Sequence, residues 1–229
     1  MQAANKIYVN IHGHRQANNI HEWVMMNLMA KDYPPDDIEH GFYSVGFHPY
    51  NVGKVDVVDT LAKVRLSTEN MRILAIGEIG LDKSIQAPLE LQQKIFEAQV
   101  EIAEFADMPV ILHVVRAFNE MIEFMKVHKP SVPMIIHGYN GSPEMAESLL
   151  NAGFRLSFGQ AIAHEHSKVV ESLLLVPLDR LFLETDEGDL DIREIYQFAA
   201  EVKGISINDL RAQIFQNAKT DLPRLAEFI

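Results

Sequence analysis

The chain contains no cysteine. That excludes a disulfide framework and any thiolate metal site, so a transition-metal site would have to be built from imidazole and carboxylate. It also lacks a stretch of about 18 apolar residues, the length a membrane-spanning helix needs. The opening MQAANKIYVN carries neither the apolar core nor the small-residue cleavage pattern of an export signal. These absences lead to the expectation of a cytoplasmic protein with no membrane partner. Positive charge is scarce as well: 20 basic residues face 32 acidic ones, a formal charge of −12. Broad electrostatic adhesion to nucleic acid or anionic lipid is thereby disfavoured. Contact with a strand end at one pocket is not, because two bound divalent ions would supply roughly +4 locally.

What is present is an ordinary globular composition, 48% hydrophobic and 23% charged, over 229 residues. No linker, low-complexity tract or repeat interrupts it, so a single domain over residues 1–229 is expected. Short runs rich in Val, Ile, Leu and Phe alternate with longer amphipathic stretches, the rhythm of parallel strands joined by helices. Seven strands are expected near Lys6–Ile11, Phe42–Phe47, Arg72–Gly77, Pro109–His113, Pro133–His137, Phe154–Phe158 and Arg180–Glu184. The expected fold is therefore an α/β, TIM-like (β/α) barrel, irregular or with seven clear strands. Residues Arg15 to His40 offer no apolar strand run and read as a helix around Ile20–Lys31 followed by the Pro34-Pro35 loop, so the first β/α unit looks shortened. Ser142-Pro143 reads as a cap and first-turn proline, with Gly153 ending that helix. In Leu89–Ala106 the positions Leu91, Ile95, Ala98, Ile102 and Phe105 recur at helical spacing and are expected to pack on the barrel. Two further helices are expected at Ile192–Val202 and Ile207–Phe215, split by Gly204.

The polar motifs fall at the C-terminal ends of the expected strands: His12 with His14, His48, Glu78, His113 with Arg116, His137 and Asp186. In a parallel barrel these ends share one mouth, where active sites are built. His12 and His14 are two apart, so on an extended strand end both imidazoles can reach one ion. His164 and His166 have the same spacing but lie in a polar stretch and read as a solvated surface pair. Glu78 follows an apolar run and stands between glycines, where it can approach an ion closely; a glycine-rich turn with an exposed Glu fits the same residues. His113 and His137 each end an apolar run, as buried structural histidines or as ligands. Asp186 completes the set from the last strand. Four imidazoles and two carboxylates from five strand ends exceed what one ion requires, so a two-metal cluster is the economical reading. Mixed nitrogen and oxygen donors favour Zn, Mn, Fe, Co or Ni, with Mg suited to an oxygen-rich half.

This combination resembles the TatD-like metal-dependent hydrolase family. Its signatures read here as His12-Gly13-His14, Gly46-Phe47-His48-Pro49, Gly77–Asp82 (GEIGLD), His113-Val114-Val115-Arg116, His137–Ser142 and Glu184-Thr185-Asp186, in family order. The resemblance implies a TIM-like barrel, two divalent ions and hydrolysis of phosphodiester bonds in DNA from a strand end. It makes His12, His14, Glu78, His113, His137 and Asp186 the metal ligands and Glu78 and Asp186 catalytic, with Arg116 and His48 in the substrate pocket. Arg116 would meet phosphate oxygens, or alternatively form a surface ion pair at a helix start. The sequence departs from the family pattern at Asn10, where Asp is usual, and after Asp186, where Glu187-Gly188-Asp189-Leu190 replaces a longer basic loop. Two other readings therefore stand beside the nuclease: a hydrolase of small amide, lactone or phosphoester substrates on the same barrel, and a catalytically inactive metal-binding protein.

Overall fold

A computed structural model describes residues 7–17, 20–35, 38, 41–164 and 167–228. Eight strands pair in chain order, all parallel: β1 Tyr8–Gly13, β2 Glu22–Met29, β3 Phe42–Gly46, β4 Ile73–Asp82, β5 Val110–Val115, β6 Met134–Ile136, β7 Arg155–Phe158 and β8 Leu181–Leu183. The ring is drawn together by a parallel bridge between Gly13 and Asp186, whose N–H donates to His12 O at 3.1 Å. Seven helices follow the later strands: α1 Val57–Ser67, α2 Leu89–Phe105, α3 Phe118–His128, α4 Pro143–Asn151, α5 Lys168–Leu175, α6 Ile192–Lys203 and α7 Ile207–Asp221. β4 is buried along its whole length, as a central parallel strand between two layers must be.

The barrel thus has eight strands rather than seven. Residues Ile20–Lys31, expected as a helix, instead carry β2 at Glu22–Met29 and the start of a single 3-10 turn at Ala30–Asp32. Ile20, Trp23, Val24, Asn27 and Leu28 happen to fall at helical spacing, and methionine and glutamate favour helix locally. Pairing with β1 on one side and β3 on the other satisfies the backbone of β2 along both edges, and this outweighs local preference. The irregularity is real but lies in the helices. Among the described residues no α-helix connects β1 to β2 or β2 to β3.

Helix α4 begins where expected, with Ser142 Oγ accepting from Met145 N at 3.4 Å and Pro143 in the first turn. Helix α2 occupies its expected span but is rotated from the expected face. Leu91 is at the edge of exposure and Phe105 is 82% exposed. The buried stripe runs instead through Gln92, Ile95, Phe96, Gln99, Val100 and Ala103. Two glutamines sit on it because the strand ends beneath offer backbone groups that need partners.

Candidate metal centre

At the end of β1, His12 is fully buried and His14 follows the strand at the mouth. Between Asn10 and Gly13 the β1 register advances three residues against two on β2, a bulge that holds His12. The same device recurs on β4, where Ile76 to Ile79 spans three residues against Val110 to Leu112 on β5. That bulge holds Gly77 and Glu78, so the Glu78 motif is a buried strand and not an exposed turn. The glycines serve strand packing more than ion approach. A Cβ at Gly77 would lie 2.6 Å from Ile111 Cβ. At Gly80, with φ of 147°, it would lie 2.0 Å from His113 O.

Glu78 is the hub, at 5% exposure. Its Oε1 lies 2.6 Å from His113 Nδ1, 2.7 Å from His137 Nε2 and 3.2 Å from His48 Nε2. Its Oε2 faces the other way, 3.6 Å from His12 Nε2. Asp186 Oδ1 stands 3.5 Å from His12 Nε2 and 3.3 Å from His14 Nε2, with its side chain 41% exposed. The structure therefore brings His12, His14, His48, Glu78, His113, His137 and Asp186 into one cluster. Arg116 is exposed at the end of β5 in a left-handed conformation, φ 56°, with no ion pair among the described residues. His164 is exposed beyond the cluster, and His166 lies outside the described residues.

The electrostatics are those of a charge-dense pocket. Burial works against ionisation of Glu78, yet the His137 charge and hydrogen bonds from His113, His137 and His48 hold its carboxyl well below the ordinary range. Burial likewise opposes ionisation of Asp186, and His12 and His14 reverse it. His137 is the complement: burial lowers it, while Glu78 and Glu184 raise it well above the usual imidazole value. His14 is raised chiefly by its hydrogen bond to Asp186.

Five residues of this architecture were not singled out from the sequence. Asn27 on β2 accepts from Glu78 N at 2.9 Å and donates to Glu78 Oε2 at 3.3 Å. Asp82 Oδ2 lies 3.3 Å from His113 Nε2, and Glu184 Oε1 lies 3.3 Å from His137 Nδ1. Gln99 accepts from Phe47 N and donates to Phe47 O, clasping the strand end before His48. Gln92 does the same for Asp82. Asp82 and Glu184 stood inside the quoted motifs. The glutamines carried a signal of their own: two polar residues seven apart share a helix face, here between Ile95, Phe96 and Val100.

A cation fits these residues. Both ring nitrogens of buried His12 lack a hydrogen-bond partner, as does Glu184 Oε2, and buried polar atoms are seldom left so. Four overlapping triads, drawn from His12, His14, His48, Glu78, His113, His137, Glu184 and Asp186, each place ligand atoms within 4.8 Å of one another. Imidazole and carboxylate together suit a divalent transition metal.

Known proteins resemble this chain in sequence and in fold. Residues 15–222 match the model of the TatD related DNase family. The chain is 30% identical over 167 residues to the uncharacterized metal-dependent hydrolase YjjV of Escherichia coli, covering 72% of this chain and 62% of that protein. It is also 30% identical over 198 residues to a 3′-5′ ssDNA/RNA exonuclease TatD of Erwinia amylovora, covering 77% and 76%. The crystal structure of the Escherichia coli YjjV protein superposes with a TM-score of 0.82 at 20% identity, covering 96% of this chain and 99% of that one. By family model, by sequence identity and by fold, the chain belongs to the TatD-related DNase family.

Proposed function

We propose that this protein is a divalent-metal-dependent hydrolase that cleaves phosphodiester bonds at the ends of single-stranded nucleic acid. In this reading it holds two ions with His12, His14, Glu78, His113, His137 and Asp186. Glu78 carries the reading: one oxygen faces His113 and His137 and the other faces His12, the disposition of a carboxylate shared between two ions. Asp82, Glu184 and Asp186 surround it, and four carboxylates at roughly −4 would be balanced by two divalent cations. The donors suit Zn, Mn, Fe, Co or Ni, with Mg in an oxygen-rich half. The Erwinia amylovora relative, named a 3′-5′ ssDNA/RNA exonuclease, supports the substrate class. A cytoplasmic location belongs to the same proposal.

When bound, such ions polarise phosphoryl oxygens and make a water acidic enough to act as nucleophile near neutral pH. Asp186, at the open side of the cluster, would orient an attacking water and accept its proton as the water oxygen adds to phosphorus. The bond from phosphorus to the leaving nucleotide oxygen breaks, and that oxygen takes a proton from solvent. Arg116, without a carboxylate partner among the described residues, is the guanidinium assigned to the phosphate oxygens. His48 presents Nε2 to the same pocket.

One observation favours a second reading, hydrolysis of small amide, lactone or phosphoester substrates. Of the three acids after Asp186, Asp191 is engaged as the N-cap of α6 and with Arg193, and Asp189 pairs with Arg15 at 3.6 Å. Glu187 is exposed, and its charge reaches His14, where it opposes a polyanion. The deciding experiment is release of nucleotides from a short single-stranded DNA with Mn supplied, against a chelated sample and Asp186→Asn. Metal-dependent release lost in the variant is the expected result. No release from metal-loaded protein that turns over a small ester would overturn the nuclease reading.

A further inference from the structure

The turn after β3 buries its residues selectively: Pro49 and Asn51 are buried, while Tyr50 between them is 59% exposed. Its backbone is fixed. Asn51 N donates to His48 O at 2.9 Å, Val52 N to Pro49 O at 3.0 Å and Lys54 N to Asn51 O at 2.9 Å. One face of the outward-turned ring is occupied, because Lys54 Nζ stands 3.0 Å from the ring centroid. What stays exposed is the other face and the edge. Tyr50 N donates to His48 Nδ1 at 3.0 Å, and His48 Nε2 lies 3.2 Å from Glu78 Oε1. A single imidazole therefore separates the Tyr50 backbone from the hub of the cluster. Among the described residues the other strongly exposed aromatic is Phe105, which ends α2 at the opposite end of the barrel, ahead of β5.

The charges of the mouth favour the same side. Lys54, Lys83 and Arg116 follow three adjacent strands, β3, β4 and β5. Lys83 is paired with Glu120, whereas Lys54 and Arg116 have no carboxylate partner among the described residues. Glu187, Asp189 and Asp191 follow β8 instead. In a chain of net charge −12, a polyanion is received over β3 to β5 and repelled at β8.

We propose that Tyr50 is a stacking platform for a base of single-stranded nucleic acid beside the metal cluster, with Lys54 bracing the ring from behind. Every base has a π-face, so such a platform accepts a strand without reading its sequence. A small ester or lactone has no base to place there. Tyr50 thus separates the two substrate classes left open at this mouth. The inference rests on the single-stranded substrate of the proposed function and not on the cleavage step.

The test compares Mn-loaded wild type, Tyr50→Ala and Tyr50→Phe on a short single-stranded DNA and on the same strand with abasic sugars at its ends. Each variant keeps the backbone N–H that meets His48, and the exposed position should leave folding unchanged. On the intact strand, Tyr50→Ala should raise KM roughly 5–150-fold with little change in kcat, and Tyr50→Phe should restore most of the loss. On the abasic strand, Tyr50→Ala and wild type should have equal KM, since the base that meets the ring is gone. An unchanged KM in Tyr50→Ala, or the same loss on both strands, would overturn the platform and leave the nuclease reading standing. If wild type releases no nucleotides, the comparison is read as equilibrium binding of the labelled strands. Base-dependent binding lost in Tyr50→Ala would then count for the platform and against the nuclease, and absence of binding would overturn both.

Discussion

The two sides of the barrel mouth are built differently. The Glu78 side is sealed: the carboxylate is at 5% exposure, bracketed by imidazoles, held by Asn27, and carried on a bulge packed hard against β5. The Asp186 side is open: its side chain is 41% exposed, it follows the short strand β8, and only residues 187–191 separate it from α6. Both carboxyls are held ionised by neighbouring histidines. The difference is access. A buried, many-partnered carboxylate is suited to holding ions, and an accessible one to meeting water and substrate.

The hardest way to break the comparison is just past the bulge, where β4 regains its register against β5. Gly80→Ala should abolish folding or cost more than about 4 kcal/mol, because its Cβ would meet His113 O at 2.0 Å in a left-handed backbone. A soluble, cooperative variant with near-native melting temperature would show that the sealed side is not rigid. Next in size, Asp186→Asn should lower kcat by about 10²–10⁴-fold while zinc still binds. Glu78→Gln should instead abolish binding of at least one ion. Equal loss of metal in both variants would erase the distinction between holding and reacting sides.

Metal removal sharpens it further through pH. In metal-free protein, the depressed Glu78 contributes stability that is present above its ordinary value of 4.5 and lost as pH falls through its lower folded value. The raised His137 contributes stability that is present below its ordinary 6.5 and lost as pH rises through its higher folded value. Metal-free protein should therefore be most stable between these limits and weaken toward alkaline pH. Bound metal needs unprotonated imidazole, so its contribution must grow as pH rises. Melting curves with and without zinc should diverge above neutrality; a constant difference from pH 5 to 9 would contradict the histidine assignment. The smallest effect belongs to the rim: Asp189→Ala, which breaks only the exposed pair with Arg15, should move the melting temperature by less than about 2 °C.

The legibility of the chain follows the same division. β3 to β8 were readable because their apolar runs are bounded by glycine, proline and polar turns and separated by amphipathic helices. β2 was not, since Trp23, Val24, Asn27 and Leu28 mimic a helical face, and only its position between β1 and β3 makes it a strand. In the site, motif spacing pointed to the histidines, Glu78 and Asp186. Asn27 was hidden with β2. Gln92 and Gln99 were hidden by the expected face of α2, whose apolar Leu91 and Phe105 proved to lie outside the buried stripe.

The sequence by itself determined that imidazole and carboxylate would gather at the ends of parallel strands, because alternation of strands and helices decides which ends face one mouth. Tertiary structure alone decided which group meets each ring. A histidine's chemistry depends on what stands behind it, and the backbone amide of Tyr50, the carboxylate of Asp82 and that of Glu184 reach their rings only once β3, β4, β5, β6 and β8 are side by side.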